Sequence, residues 1–173
     1  MPEIIIVAGP NGAGKTSFAN KYFAHAREGL EFINADEIAR ELDSENLPKP
    51  IQEMRAGREM LIQIDALVND GTEFMFETTL ATLNYSRKIP IWQKQGYWVS
   101  LIYLRLPSVE DSIARVARRV ENGGHDIPEK IIRRRFQKSL DYLNNIYKPI
   151  VDDWYVYDSL ENEFKPAEFW DDQ

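Results

Sequence analysis

Residues 3–20 read EIIIVAGPNGAGKTSFAN, and this stretch decides the fold of the 173-residue chain. An apolar run typical of a buried β-strand comes first, and residues 9–16 then match the phosphate-binding pattern G-x-x-x-x-G-K-[ST] at every fixed position. Glycines allow successive backbone N–H groups to turn toward phosphate oxygens, and the N-terminus of a following helix adds free amides and a positive dipole end. The stretch therefore predicts a strand, a P-loop and a helix that together bind a nucleoside triphosphate.

The P-loop residues have separate expected roles. Lys15 would reach the β- and γ-phosphates of ATP or GTP, and the Thr16 hydroxyl would complete the shell of a Mg²⁺ ion. An incidental glycine-rich turn would not need this fixed spacing, and a dinucleotide site read from Gly12 would need a glycine where Ser17 stands. We therefore expect the nucleotide to contact Gly9, Pro10, Asn11, Gly12, Ala13, Gly14, Lys15, Thr16 and Ser17.

Composition indicates one globular domain, residues 1–173. Hydrophobic residues make up 43% and charged residues 28%, which is typical of such a domain, and the absence of cysteine excludes disulfides and thiolate metal sites. The N-terminal apolar run is too short to span a membrane and does not resemble a signal peptide. We expect a cytoplasmic protein without a membrane partner.

Charge is unevenly distributed along the chain. The formal net charge is −7, which argues against a general nucleic-acid binder, yet residues 105–138 carry 9 basic and 5 acidic side chains. A basic segment inside an acidic protein favours a small anionic ligand over a long polyanion.

Strand and helix patterns alternate along the chain. Apolar runs predict strands at 4–8, 31–34, 73–76, 97–106 and 154–157. Helices between them imply a mostly parallel five-stranded sheet with right-handed crossovers, a three-layer P-loop α/β sandwich. The helix after the P-loop is expected to end near His25, and the tail, residues 161–173, to pack loosely.

Helical periodicity predicts which faces are buried. In the long helix after residue 50, an apolar stripe is formed by Met54, Gly57, Leu61, Ile64 and Val68, with Gly71 ending the helix.

Two further helices form a predicted lid region, residues 108–140, around Gly123 and Gly124. Ser108 and Asp111 form a capping box at its start, and its arginines lie off the apolar faces. Arginine suits a lid over phosphates because its planar fork binds their oxygens bidentately.

Acidic and hydroxyl side chains follow two predicted strands. Asp36 comes after the second strand, and Glu77 with Thr79 after the third, at the edge where parallel sheets bind ligands. Asp36 can equally be a helix N-cap, and both interpretations stay open. As a ligand-facing group, Asp36 is the best candidate for the general base that deprotonates an acceptor hydroxyl. No Walker B strand ending in Asp is evident before residues 156–158, so a small-molecule kinase is favoured over a switch GTPase or motor ATPase.

Several motifs together resemble the zeta toxin family of P-loop kinases. They are residues 9–16, 34–36, 77–80 and 115–136, the last including Gly-Gly-His-Asp-Ile-Pro at 123–128. The resemblance implies a kinase that phosphorylates a sugar hydroxyl, as the founding toxins do on UDP-N-acetylglucosamine, and an antitoxin partner. The alternative to a kinase is a nucleotide-binding module of a toxin–antitoxin complex that has no robust kinase turnover.

The resemblance also assigns roles to single residues. It implies Asp36 as the base, Glu59 and Glu77 as acidic groups on the acceptor side, and Arg118 near the γ-phosphate. His125 stands where a second γ-phosphate arginine is expected, so Arg134, or else Arg135, would take that role.

Overall fold

The computed structural model describes residues 1–23, 29–42, 46–161 and 163–171. Six strands form one sheet: β1 (Glu3–Ala8), β2 (Glu31–Ile33), β3 (Phe74–Thr78), β4 (Trp98–Arg105), β5 (Asp153–Ser159) and β6 (Phe164–Phe169). Their order across the sheet is β2-β3-β1-β4-β5-β6. The run of isoleucines that opens the chain thus becomes the strand between β3 and β4, with both faces buried.

The first five strands are parallel, as predicted, and the count of five is wrong by one. β6 pairs antiparallel with β5, so the expected loose tail instead extends the sheet. The sequence of β6 shows no clear strand pattern, because only Phe164 at its start packs inward, with its ring centroid 5.1 Å from that of Phe18. Residues 162, 172 and 173 of that tail lie outside the described residues.

Six α-helices connect the strands: α1 (Lys15–Tyr22), α2 (Ala35–Leu42), α3 (Lys49–Asp70), α4 (Asn84–Lys94), α5 (Val109–Glu121) and α6 (Glu129–Tyr142). A π-helical turn, Leu143–Tyr147, follows α6. One face of the sheet packs against α2, α3 and α4, and the other against α1 and Phe136 of α6, which confirms the three-layer sandwich. The predicted end of α1, His25, lies outside the described residues.

The buried face of α3 differs from the predicted one. The stripe consists of Gln52, Ala56, Met60, Ile64 and Val68, whereas Met54 is 59% exposed. Gly71 ends the helix in the left-handed conformation, as predicted. Relative to the prediction, the N-terminal half of α3 is therefore rotated about the helix axis. This orientation decides which of its side chains border the neighbouring cleft.

The lid region has a small hydrophobic cluster of its own. Val116 of α5, Ile132 of α6 and Ile127, which lies between these two helices, are buried together. The predicted cap at the start of α5 is confirmed, since Ser108 Oγ accepts from the Asp111 amide at 3.2 Å and donates to the Asp111 carboxylate at 2.6 Å. Across the described residues, we find no helix of the length and apolarity that crossing a membrane requires.

Candidate active site

A cleft of about 910 Å³ opens where β1 and β3 end. The P-loop forms one wall, and side chains from α2, α3, α5 and α6 form the others. Because parallel strands direct their carboxyl ends to one edge, the P-loop and the residues that follow β2 and β3 meet there, as predicted.

The P-loop has the backbone that its glycines permit. Gly12 has φ +80° and Gly14 has φ +82°, and α1 begins immediately afterwards at Lys15. A Cβ atom on Gly12 would lie 2.9 Å from Cβ of Arg115, so α5 packs directly against the loop. Six of the nine predicted nucleotide-contacting residues line the cleft (Asn11, Gly12, Gly14, Lys15, Thr16 and Ser17), whereas Gly9, Pro10 and Ala13 do not.

Hydrogen bonds hold the Lys15 side chain over the P-loop. Lys15 Nζ donates to the carbonyls of Gly9 at 3.0 Å and Pro10 at 3.1 Å. Burial lowers the pKa of Lys15, and the negative charges of Glu77 and Asp36 oppose that shift. The lysine therefore lies over the loop with two acidic side chains in electrostatic range.

Glu77 contacts the P-loop rather than standing at a separate acceptor site. Thr16 Oγ1 donates to Glu77 Oε2 at 2.8 Å. Burial raises the pKa of Glu77, while Lys15 and the Thr16 hydrogen bond lower it. β3 lies beside β1, with Val7 opposite Glu77, so this carboxylate ends an apolar strand next to the P-loop, in the manner of a Walker B residue. The sequence predicted Glu77 as a ligand-facing residue but not as a partner of the P-loop, because a Walker B strand is expected to end in Asp; the apolar residues 74–76 before Glu77 are the signal that could have indicated it.

Thr16 and Glu77 offer the chemistry that Mg²⁺ prefers. Both supply oxygen ligands, and Mg²⁺ needs only one or two protein oxygens when phosphates and water complete its shell. No cluster of three or more His, Asp or Glu side chains suited to a metal ion occurs within the described residues, so an all-protein metal cage is not the arrangement here.

We expect Glu77→Gln to stabilise the empty protein and weaken its response to Mg²⁺. The amide keeps the shape and can accept from Thr16 but carries no buried charge, so the melting temperature should rise by about 2–4 °C. Without the carboxylate, the affinity for Mg²⁺ in the presence of ADP should fall by about tenfold or more. Thermal melts with and without ADP and Mg²⁺ measure both effects, and an unchanged Mg²⁺ response would remove Glu77 from the metal side.

Asp36 lines the cleft and is not the N-cap of α2. Asn34 fills that position, because its Oδ1 accepts from the Asp36 amide at 2.8 Å and its carbonyl from the Ile38 amide at 3.2 Å. The capping interpretation of Asp36 is therefore wrong. Its exposed carboxylate borders the same cleft as Lys15.

A backbone turn after β3 carries Thr79 into the cleft lining. Leu80 has φ +62°, and its amide donates to Thr78 Oγ1 at 3.0 Å. A buried, branched residue in the left-handed region costs about 1 kcal/mol or more, so its surroundings must hold this turn in place.

The arginines of the lid region separate into two groups. Arg115, Arg119, Arg134 and Arg135 line the cleft, and the charges of Arg119 and Arg135 help lower the pKa of Lys15. Arg118 does not face the cleft: its side chain is 61% exposed and pairs with Glu161 at 3.2 Å. The structure thus brings Arg134 to the site as predicted and substitutes Arg119 for Arg118.

A similar exchange occurs on α3. Glu59 lies outside the cleft, where it accepts a 3.5 Å hydrogen bond from Gln63, and the rotated helix presents Glu53 instead. Glu53 Oε1 lies 3.4 Å from His125 Nε2 and its Oε2 lies 3.8 Å from Arg135 Nη2. Glu53 therefore links α3 to the lid region across the cleft.

Comparisons with known proteins agree with this geometry. The family model described as Zeta toxin matches residues 1–164. An uncharacterised protein of Haemophilus influenzae is 27% identical over 135 residues, which cover 78% of this chain and 92% of that protein.

Solved structures with the same fold include a toxin–antitoxin system and a structure with ATP. The structure of the PezAT chromosomal toxin–antitoxin system of Streptococcus pneumoniae superposes with a TM-score of 0.70 at 17% identity, over 98% of this chain and 72% of that chain. The structure of AvrRxo1-ORF1 with AvrRxo1-ORF2 and ATP has a TM-score of 0.69 at 18% identity, over 98% of this chain and 58% of that chain. Since the family match extends over nearly all of the P-loop fold described above, the chain belongs to the zeta toxin family.

Proposed function

We propose that this protein transfers the γ-phosphoryl group of ATP to a hydroxyl of a small metabolite. The observation that carries the proposal is the convergence of three groups on one cleft: Lys15 of the P-loop, the Thr16–Glu77 pair, and the Asp36 carboxylate. A nucleotide switch without transfer would have little use for Asp36.

Lys15 and the P-loop amides bind the phosphates. On binding, Lys15 Nζ exchanges its hydrogen bonds with the carbonyls of Gly9 and Pro10 for phosphate oxygens. Thr16 and Glu77 would hold Mg²⁺, which neutralises charge on the β- and γ-phosphates.

Asp36 serves as the general base in this proposal. It accepts the proton of the acceptor hydroxyl as the oxygen attacks the γ-phosphorus, and ADP leaves. Arg119, Arg134 and Arg135 stabilise the charge spread over the equatorial oxygens, as arginines suit bidentate phosphate contacts.

ATP is the favoured nucleotide, and UDP-N-acetylglucosamine is the first acceptor to test. The AvrRxo1 complex with ATP supports the former, and membership of the zeta toxin family supports the latter. Beyond Asp36, the cleft is lined by Gln52, Glu53, Thr79 and Thr82. Their polar side chains suit a polar substrate that accepts the phosphoryl group.

A labelling screen tests the proposal. The protein is incubated with γ-labelled ATP, Mg²⁺ and a panel of hydroxyl-bearing metabolites that includes UDP-N-acetylglucosamine, and labelled products are identified by mass spectrometry. Lys15→Ala protein is the blank, since it should lose nucleotide binding. A labelled product that depends on Lys15 supports the kinase. ATP binding without any product across the panel contradicts it.

A protein partner is a second candidate role. PezAT is a toxin–antitoxin system and AvrRxo1-ORF1 was solved together with AvrRxo1-ORF2, which supports an antitoxin partner here. Such a module would bind ATP tightly and give no labelled product, and a co-expressed partner would copurify with it stoichiometrically. The same labelling screen therefore separates the two functions.

A further inference from the structure

Two side chains behind the P-loop hold its backbone carbonyls from the side opposite the cleft. Ser112 of α5 donates to the Asn11 carbonyl. Ser159, the last residue of β5, donates to the Ala13 carbonyl at 2.7 Å. Both serines are buried, at 0% and 1% exposure, so water cannot replace these hydrogen bonds at no cost.

Arg115 fixes the direction of the second contact. Its Nη1 donates to Ser159 Oγ and its Nη2 to the Ser159 carbonyl, both at 2.9 Å. A guanidinium has only donors, so Ser159 Oγ must accept from it and give its own proton to Ala13. The result is a one-way chain from guanidinium to hydroxyl to carbonyl, in which each bond polarises the next.

The held carbonyls determine where the following amides point. In a trans peptide, the C=O and the next N–H point in opposite directions. With the Asn11 and Ala13 carbonyls turned toward α5 and β5, the N–H groups of Gly12 and Gly14 point to the other side, and both glycines line the cleft.

Packing supports the same arrangement. A Cβ on Gly12 would lie 2.9 Å from Cβ of Arg115, and one on Gly14 would lie 3.3 Å from the Phe164 ring of β6. α5 and the β5–β6 hairpin are thus in contact with the back of the loop along its length.

We infer that Ser112, Arg115 and Ser159 are positioning residues that hold the P-loop amides ready for the phosphates before nucleotide binds. The inference rests on the proposed nucleotide site and deepens it. Arg115 also borders the cleft, but its Nη1 and Nη2 both donate to Ser159, so we assign it a role through the loop and not on the γ-phosphoryl group. The start of the lid region is thereby tied to the P-loop, and the antiparallel hairpin at the chain's end supports the site.

Calorimetric titration with ADP·Mg²⁺ and with inorganic pyrophosphate tests the inference. We expect Ser159→Ala, which loses one hydrogen bond to the P-loop, to weaken the affinity for both ligands by about fivefold. Arg115→Ala loses several ordering hydrogen bonds and should weaken both affinities by about tenfold or more. Millimolar guanidinium should partly restore binding to Arg115→Ala. A merely structural role would not respond in this way.

Ser139→Ala is the matched control for Ser159→Ala. Ser139 is equally buried and shares a 2.7 Å hydrogen bond with the Tyr103 hydroxyl, and neither side chain hydrogen-bonds to the P-loop among the described contacts. Its loss should lower the melting temperature by a similar amount and leave both affinities unchanged.

The outcomes separate the two proposals. If the wild-type protein binds neither probe, the nucleotide site itself is wrong and the positioning role fails with it. If the wild-type protein binds while folded Ser159→Ala and Arg115→Ala bind equally well, or lose affinity only as far as Ser139→Ala does, the positioning role alone is wrong.

Discussion

We expect Asp36→Asn to abolish transfer and leave ATP binding nearly intact. The amide cannot take the proton from the attacking hydroxyl, and loss of a general base costs about 10²- to 10⁴-fold in rate. Asp36 borders the cleft and makes no hydrogen bond to the P-loop among the described contacts, so the phosphates should bind as before. The measurements are single-turnover transfer from γ-labelled ATP and the dissociation constant of ATP for the same protein.

Glu37→Gln is the control for this change. Glu37 is the next residue of α2, is also exposed, and does not line the cleft. It removes an equal charge from the same turn of α2, and the charges of both residues act on Glu77, so a general electrostatic effect would appear in both variants. Transfer by Asp36→Asn at the wild-type rate would rule out this residue as the base and leave Glu53 as the next acidic side chain to test.

The P-loop and the parallel sheet were predictable because local chemistry fixes both. The spacing of glycines, lysine and threonine leaves few alternatives to a phosphate-binding loop, and strands buried on both faces are almost continuously apolar. β6 escaped prediction for the converse reason: it is an exposed edge strand whose pairing comes from β5, not from its own pattern.

The buried face of α3 decides which acidic side chain borders the cleft. The predicted apolar stripe was wrong at Met54 and Gly57, because the buried Gln52, whose side-chain amide donates to the Ala39 carbonyl at 2.7 Å, belongs to the core face. Glu53 then borders the cleft, whereas Glu59, which only the family resemblance implied, lies outside it. A polar side chain can lie in a buried stripe only when another element supplies its hydrogen-bond partner, and helical periodicity in the sequence does not reveal that partner.

The same limit applies to Arg118 and Arg119. Successive helical residues differ by 100° in direction, so both lie off the apolar stripe of α5 and composition cannot choose between them. The contacts of Ser112 and Arg115 with the P-loop set the rotation of α5 in the structure. The choice is therefore made by tertiary packing, and it can be tested directly.

We expect Arg119→Ala to lower transfer by about a hundredfold to a thousandfold and Arg118→Ala to stay within about twofold of wild type. Arg119 borders the cleft, and its Nη2 donates a long hydrogen bond of 3.4 Å to the His125 carbonyl, a contact that phosphoryl oxygens can replace. A cation that meets charge formed only in the transition state affects the transfer rate more than ATP affinity. Arg118 forms an exposed ion pair with Glu161, and such a pair contributes little. Single-turnover rates and ATP dissociation constants for the two variants measure the difference. A large loss for Arg118→Ala with none for Arg119→Ala would mean that α5 turns before transfer, and the cleft described here would then not be the catalytic arrangement.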